Sequence, residues 1–155
     1  MLFFAAKTLA ENNRNSAAFK KYALFPQDSP YKIAVLLNMA ELYAADGDNN
    51  QALVMAKRAY ELYPQMSETQ LCYADKLFKN GKLSIIPDVI KLSPSQKVRR
   101  KMKPLWVAGM QQRIKDCNMN TQQEKIRELC RQLLVIAPDN TVAIEYLKKL
   151  NKMPQ

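Results

Sequence analysis

The sequence predicts an all-α fold, and three observations carry that expectation. Apolar residues recur at helical spacing through residues 33 to 66, first as Leu36, Met39, Ala40 and Tyr43, then as Ala52, Met55, Ala56, Ala59 and Leu62. The turn residues Asp46-Gly47-Asp48 separate the two stripes, and Pro64 ends the second, because proline cannot continue a helix without losing a hydrogen bond. The chain is 48% apolar, has three glycines, and shows no strand-type alternation. Residues 33 to 66 therefore read as two antiparallel helices joined by a short turn. Their alanines combine high helix propensity with room for close approach of two backbones.

These residues carry a family likeness. The stretch from Ile33 resembles a tetratricopeptide repeat, a helix-turn-helix unit of about 34 residues. Counting from Ile33, that family has a small residue at Ala40, an aromatic at Tyr43, glycine at Gly47, and small residues at Ala52 and Ala59. It continues with an aromatic at Tyr60, an apolar residue at Leu62 and proline at Pro64. Two positions depart from the pattern: Leu36 stands at the usual tryptophan and Ala56 at the usual aromatic of the second helix. The resemblance implies a helical-hairpin superhelix of about three irregular repeats.

In order along the chain, residues 1 to 26 read as a degenerate helix pair. One helix spans 2 to 11, with Leu2, Phe3, Ala6 and Leu9 on one side; Asn12-Asn13 turns, and a helix over 16 to 25 carries Phe19, Tyr22, Ala23 and Phe25. Ser29-Pro30 is the expected start of the best repeat, residues 30 to 66, with serine as cap and proline in the first turn. Ser67 to Gln70 has a capping-box pattern and opens a shortened repeat, residues 67 to 94. Its first helix holds Leu71, Ala74, Leu77 and Phe78 and stops at Asn80-Gly81. Ala74 and Gly81 follow Ala40 and Gly47 by one full repeat length. Pro87 and an early Pro94 predict a short or distorted second helix. A divergent repeat covers residues 95 to 138: Ser93-Pro94-Ser95-Gln96 starts a helix, and Pro104 is expected to kink or break it. Leu105, Trp106, Ala108, Gly109 and Ile114 follow. Thr121-Gln122-Gln123-Glu124 is a second capping-box pattern before Ile126, Leu129, Cys130, Leu133 and Leu134, and Pro138 ends that helix. Residues 140 to 151, with Val142, Ile144, Tyr146, Leu147 and Leu150, form a C-terminal helix that would cap the exposed end of a stack. The whole reads as a single helical-repeat domain over residues 1 to 155, which could also be a piece of a longer repeat protein.

Enzymatic chemistry is not expected. With no histidine, histidine general bases, the triads built on them and histidine metal sites are excluded. Cys72, Cys117 and Cys130 lack zinc spacing and suggest no disulfide framework, which makes a reducing compartment the default. No phosphate-cradling loop can be built from Gly47, Gly81 and Gly109, and Asp46 with Asp48 falls short of a calcium loop. No metal or cofactor is expected. Neither a signal peptide nor an apolar run long enough to span a membrane is evident, so the expected location is cytoplasmic.

Two surfaces remain as candidate sites. Carried over from the tetratricopeptide resemblance, a concave groove would be lined by Ala34, Leu37, Glu41 and Ala44 and by Glu68, Leu71, Asp75 and Phe78. Members of the family that clamp chaperone tails carry basic and amide residues where Leu37, Glu41 and Asp75 stand, so no such clamp is expected. The apolar and acidic lining suits a basic, apolar peptide or helix of a partner protein, in a scaffold, adaptor or assembly role. The second surface is Lys97, Arg99, Arg100, Lys101 and Lys103, a basic run able to meet nucleic acid or an acidic protein. The net charge is +10, concentrated in the C-terminal half.

Overall fold

The computed structural model describes residues 2–11, 15–26, 28–90 and 96–152. Among them it holds nine α-helices and no strand. They are α1 (Leu2–Glu11), α2 (Asn15–Ala23), α3 (Lys32–Ala45), α4 (Asn49–Leu62), α5 (Ser67–Lys79), α6 (Ile86–Val89), α7 (Gln96–Asp116), α8 (Gln123–Ile136) and α9 (Thr141–Leu150), with a 3-10 turn at Leu83–Ile85. The expected turn at Asn12-Asn13 and the expected start at Ser93 to Ser95 lie outside the described residues. The chain divides into two compact units, Met1–Gly81 and Lys82–Gln155.

In the first unit each helix packs on the next, and α3 also touches α1 and α5. Helices α1, α3 and α5 thus lie in one layer, α2 packs on α1 and α3, and α4 packs on α3 and α5. Alanine recurs among the buried positions of these helices. Ala6, Ala40 and Ala74 succeed one another at the repeat spacing and are all fully buried, as are Ala18 and Ala52. Around Ala6 and Ala18 the core holds Tyr22, Val35 and Leu42, with Phe3, Leu9, Phe19 and Phe25 packed against it.

The same spacing governs the turns. Gly47 at φ +83° and Gly81 at φ +69° end α3 and α5 in the left-handed region, where a side chain would be strained. Asp48 caps α4, its Oδ1 accepting from the Gln51 N–H at 2.9 Å. Asn15, at the start of α2, donates through Nδ2 to Asp46 Oδ1 at 2.5 Å, just past the end of α3. One repeat further on, Asn80, just past the end of α5, donates to the Asn49 carbonyl at the start of α4 at 3.0 Å. One contact between helix start and helix end is therefore made twice, by residues a repeat apart.

Three expected caps are built differently. Helix α3 begins at Lys32, behind Tyr31, and Ser29 Oγ instead accepts from the Tyr31 N–H inside the preceding turn. Ser67 lies within the first turn of α5, behind an extended Met66, so the Ser67–Gln70 box does not form. Buried side chains secure that start: Thr69 Oγ1 donates to the Tyr63 and Met66 carbonyls (2.6 and 2.8 Å), and Gln70 Nε2 donates to the Pro64 carbonyl (2.7 Å). Likewise α8 starts behind Gln122 without a side-chain cap, while Gln122 Oε1 accepts from the Asn118 N–H.

In the second unit the 3-10 turn and the short α6 pack on α7. Pro87 lies in the first turn of α6, where no N–H is needed. Ile86, Val89 and Ile90 are buried, as are Met102, Trp106, Met110 and Ile114 of α7, and the core continues through Ile126, Cys130, Leu133, Ala143 and Leu150. Ile86 and Ile90 follow the buried Ala52 and Ala56 by one repeat length, so the spacing persists where the helix is cut short. Helix α7 runs through Pro104 without a break. Pro104 and Arg100 are both exposed, so solvent can serve the Arg100 carbonyl that proline leaves without a donor. Asn140 caps α9 through a bond from the Ala143 N–H.

Candidate functional site

The expected groove residues fall on α3 and α5, which are neighbours in one layer of the first unit. Ala34, Leu37, Ala44 and Leu71 are half-buried. Phe78 is 46% exposed, a large apolar side chain facing solvent. Glu41 and Glu68 are exposed and Asp75 is half-buried.

The charge on this face differs from its appearance in sequence. Lys76 is 1% exposed, and its ammonium is held by two of the expected acidic residues. Lys76 Nζ donates to Glu41 Oε1 at 2.8 Å and to Asp75 Oδ2 at 3.1 Å. Lys79 adds a second ion pair to Asp75 at 3.2 Å. Three carboxylates thus face two ammoniums, which leaves one net negative charge rather than three. The face is therefore less negative than its sequence suggests, and Leu37, Leu71 and Phe78 give it apolar surface.

The same cluster fixes the chemistry of its members. Burial alone would lower the Lys76 pKa, but its hydrogen bonds to Glu41 and Asp75, with their charges, raise it above its ordinary 10.5. Cys72 lies beside Glu41, with Sγ to Oε1 at 3.9 Å. Burial pushes the Cys72 thiol up to about 12, so it is a neutral thiol rather than a nucleophile at physiological pH. Burial likewise raises the Cys130 thiol, aided by Cys117. Nothing in this cluster activates a base or a nucleophile.

Lys76 escapes sequence reading because a lysine is normally exposed and here follows the acidic Asp75. Its signal is positional. It stands one repeat length after Leu42, an apolar residue that is also buried.

The basic run lies in the second unit, on α7. The side chains of Lys97 and Arg99 lie outside the described residues. Arg100, Lys101 and Lys103 are exposed; Arg100, Lys101 and Lys115 share a face of the helix away from the buried Met102, Trp106 and Met110, whereas Lys103 stands on the side of Met110, seven residues before it. Other arginines of this unit are used internally: Arg113 pairs with Asp88 and bonds the Ser84 carbonyl, Arg127 pairs with Glu124, and Arg131 with Glu128. Among the described residues, Arg100, Lys101 and Lys103 have no such carboxylate. The division between units also divides the charge, +1 over residues 1 to 81 and +9 over residues 82 to 155.

Among the described residues no group of three or more histidine, cysteine or acidic side chains is arranged to hold a metal ion. No described helix is long and apolar enough to cross a membrane. A scan against protein-family models, a search of the curated proteins and a search of the solved structures each find no match.

Proposed function

We propose that this chain is a non-enzymatic binding module of tetratricopeptide type. In this reading the α3–α5 face takes up a peptide or helix of a partner protein. The observation that carries it is the contact made twice at the repeat spacing, Asn15 to Asp46 and then Asn80 to Asn49, together with the equally spaced buried alanines. A repeating hairpin of this kind presents a continuous layer of first helices. Leu37 and Phe78 supply apolar contact there, and Glu68 supplies a carboxylate that has no ion pair among the described residues. Within the first unit the hairpins would be residues 1 to 26 and 30 to 66, with α5 opening the next.

A second reading rests on the charge of the second unit. The exposed cations of α7 suit a polyanion such as nucleic acid, whose binding would release counterions and fall steeply with salt. One experiment separates the two. Protein captured from nuclease-treated lysate at high salt is compared between wild type and Leu37→Ala/Phe78→Ala. The groove reading expects the partner to be lost, by at least about tenfold, since two truncated contact residues cost upward of 1.4 kcal/mol together. Undiminished capture by the double variant rules the groove out. Capture that disappears with nuclease and responds to Arg100→Glu/Lys101→Glu transfers the function to α7.

A further inference from the structure

The first unit has a second concavity, formed by different side chains from those of the α3–α5 face. It lies among the end of α2, the first half of α3 and the middle of α4, and its volume is ≈ 170 Å³. Phe25, Val35, Leu36, Met39 and Met55 give it apolar walls. Lys32, Leu36 and Arg58 line both this cavity and a wider depression of ≈ 480 Å³, which Leu62 and Glu61 complete. The two spaces therefore adjoin, and both cations line each of them.

Three features make this more than a fissure between helices. First, the inner cavity is smaller than the roughly 300–1,000 Å³ of a small-molecule pocket, so it has room for one side chain rather than a cofactor. Second, neither Lys32 nor Arg58 has a carboxylate within ion-pair distance among the described residues, although such pairs occur elsewhere on the same helices. Third, Glu61, the acid at the depression, is engaged by Lys57 at 3.4 Å. The mouth is thus left positive above an apolar floor. Leu62, 43% exposed, extends the apolar surface along the depression.

We infer that this cleft binds an extended segment of a partner protein in which one bulky apolar residue is flanked by acidic residues. The apolar side chain fills the inner cavity. The flanking carboxylates meet Arg58, whose guanidinium can hold one in a two-point contact, and Lys32. Charge complementarity and the size of the cavity select this occupant over a basic segment or a long apolar one. The inference goes beyond the α3–α5 groove and stands without it, since Leu37 and Phe78 take no part.

The test uses the full chain and fluorescent, terminally blocked pentapeptides, Glu-Glu-X-Glu-Glu, with X as leucine, phenylalanine, methionine or serine. Lysine-flanked versions serve as controls. Fluorescence polarisation is expected to give saturable binding for at least one apolar X, at least tenfold weaker for serine and for the lysine-flanked form. Arg58→Glu, a change at an exposed position that leaves the core untouched, is expected to weaken binding tenfold or more, and Lys32→Glu similarly. Absence of saturable binding to every acidic peptide, or equal affinity in Arg58→Glu, overturns the inference. So does wild-type dimerisation in sedimentation that Arg58→Glu abolishes, which would give the cleft to a second copy of the chain.

Discussion

Gly109→Ala is expected to destabilise the second unit by roughly 2 kcal/mol, although alanine is the better helix former. Gly109 lies within α7, and a β-carbon built there would come within 2.8 Å of the Leu83 carbonyl oxygen and 2.6 Å of Pro87 Cδ. One of those atoms is backbone and the other belongs to a rigid ring, so neither can swing aside. Relief requires the segment from Leu83 to Val89 to move off α7, disturbing the packing of Ile86 and Val89. Overpacking of this kind costs about 3 kcal/mol at the upper end of its usual range. The helix gains about 1 kcal/mol from replacing glycine, so the clash wins. Trp106 is the only tryptophan and is buried on the same helix, so its fluorescence in a urea titration reads this unit directly. A Gly109→Ala protein as stable as wild type would mean that the segment is not held against α7.

The larger effect is expected at Lys76. The cluster is asymmetric: Lys76 is 1% exposed, whereas Glu41 and Asp75 are 64% and 38% exposed. Removing the lysine leaves two carboxylates that water can reach. Removing the carboxylate charges leaves an ammonium that water cannot. Glu41→Gln/Asp75→Asn is therefore expected to cost about 3 kcal/mol near neutral pH, whereas Lys76→Met, which fills the same space without charge, costs under about 1.5 kcal/mol. The pH dependence should change sign. In wild type the raised Lys76 pKa gives stability that is fully present below the ordinary 10.5 and is lost as pH climbs through the higher folded value. In the double variant the carboxylate charges are gone and only neutral amide acceptors remain, so burial, the largest of the causes, lowers the folded pKa. Between that lowered value and 10.5 the folded state then binds fewer protons than the unfolded one, so stability rises with pH there. Urea titrations followed by circular dichroism at pH 7, pH 10 and about pH 11.5 check both points. Equal costs for the double variant and Lys76→Met would contradict the asymmetry.

The parts of the fold legible in sequence are those set by spacing and backbone demand. Helical stripes locate α3, α4 and α5, and Gly47 and Gly81 announce left-handed turns that few other residues would tolerate. Caps are less legible. A serine or threonine followed by glutamate or glutamine fits several local geometries, and at Ser67 the competing bonds of Thr69 and Gln70 to the preceding loop decide the outcome. The break that Pro104 could have caused is absent for a related reason. The rule that proline interrupts a helix assumes that the freed carbonyl cannot be served, and on an exposed face it can.

For the α3–α5 site, Leu37 and Phe78 come from the tetratricopeptide resemblance, but the net charge of the face does not follow from it. That charge depends on a lysine whose neighbour on α3, Glu41, lies 35 residues away. Pairing across helices is invisible to any local pattern. The Lys32–Arg58 cleft is hidden similarly, because its walls come from three helices and no single stretch holds them.

Site-specific photocrosslinking distinguishes the α3–α5 face from α7 as the binding surface. A benzophenone amino acid is placed singly at Leu37, Phe78 or Arg100, and partners are captured in nuclease-treated lysate. The account expects one protein adduct common to the Leu37 and Phe78 probes and absent from the Arg100 probe, because those two residues would line one partner-binding face. An adduct formed only through Arg100, with none at Leu37 or Phe78, would contradict it and move the binding surface to α7.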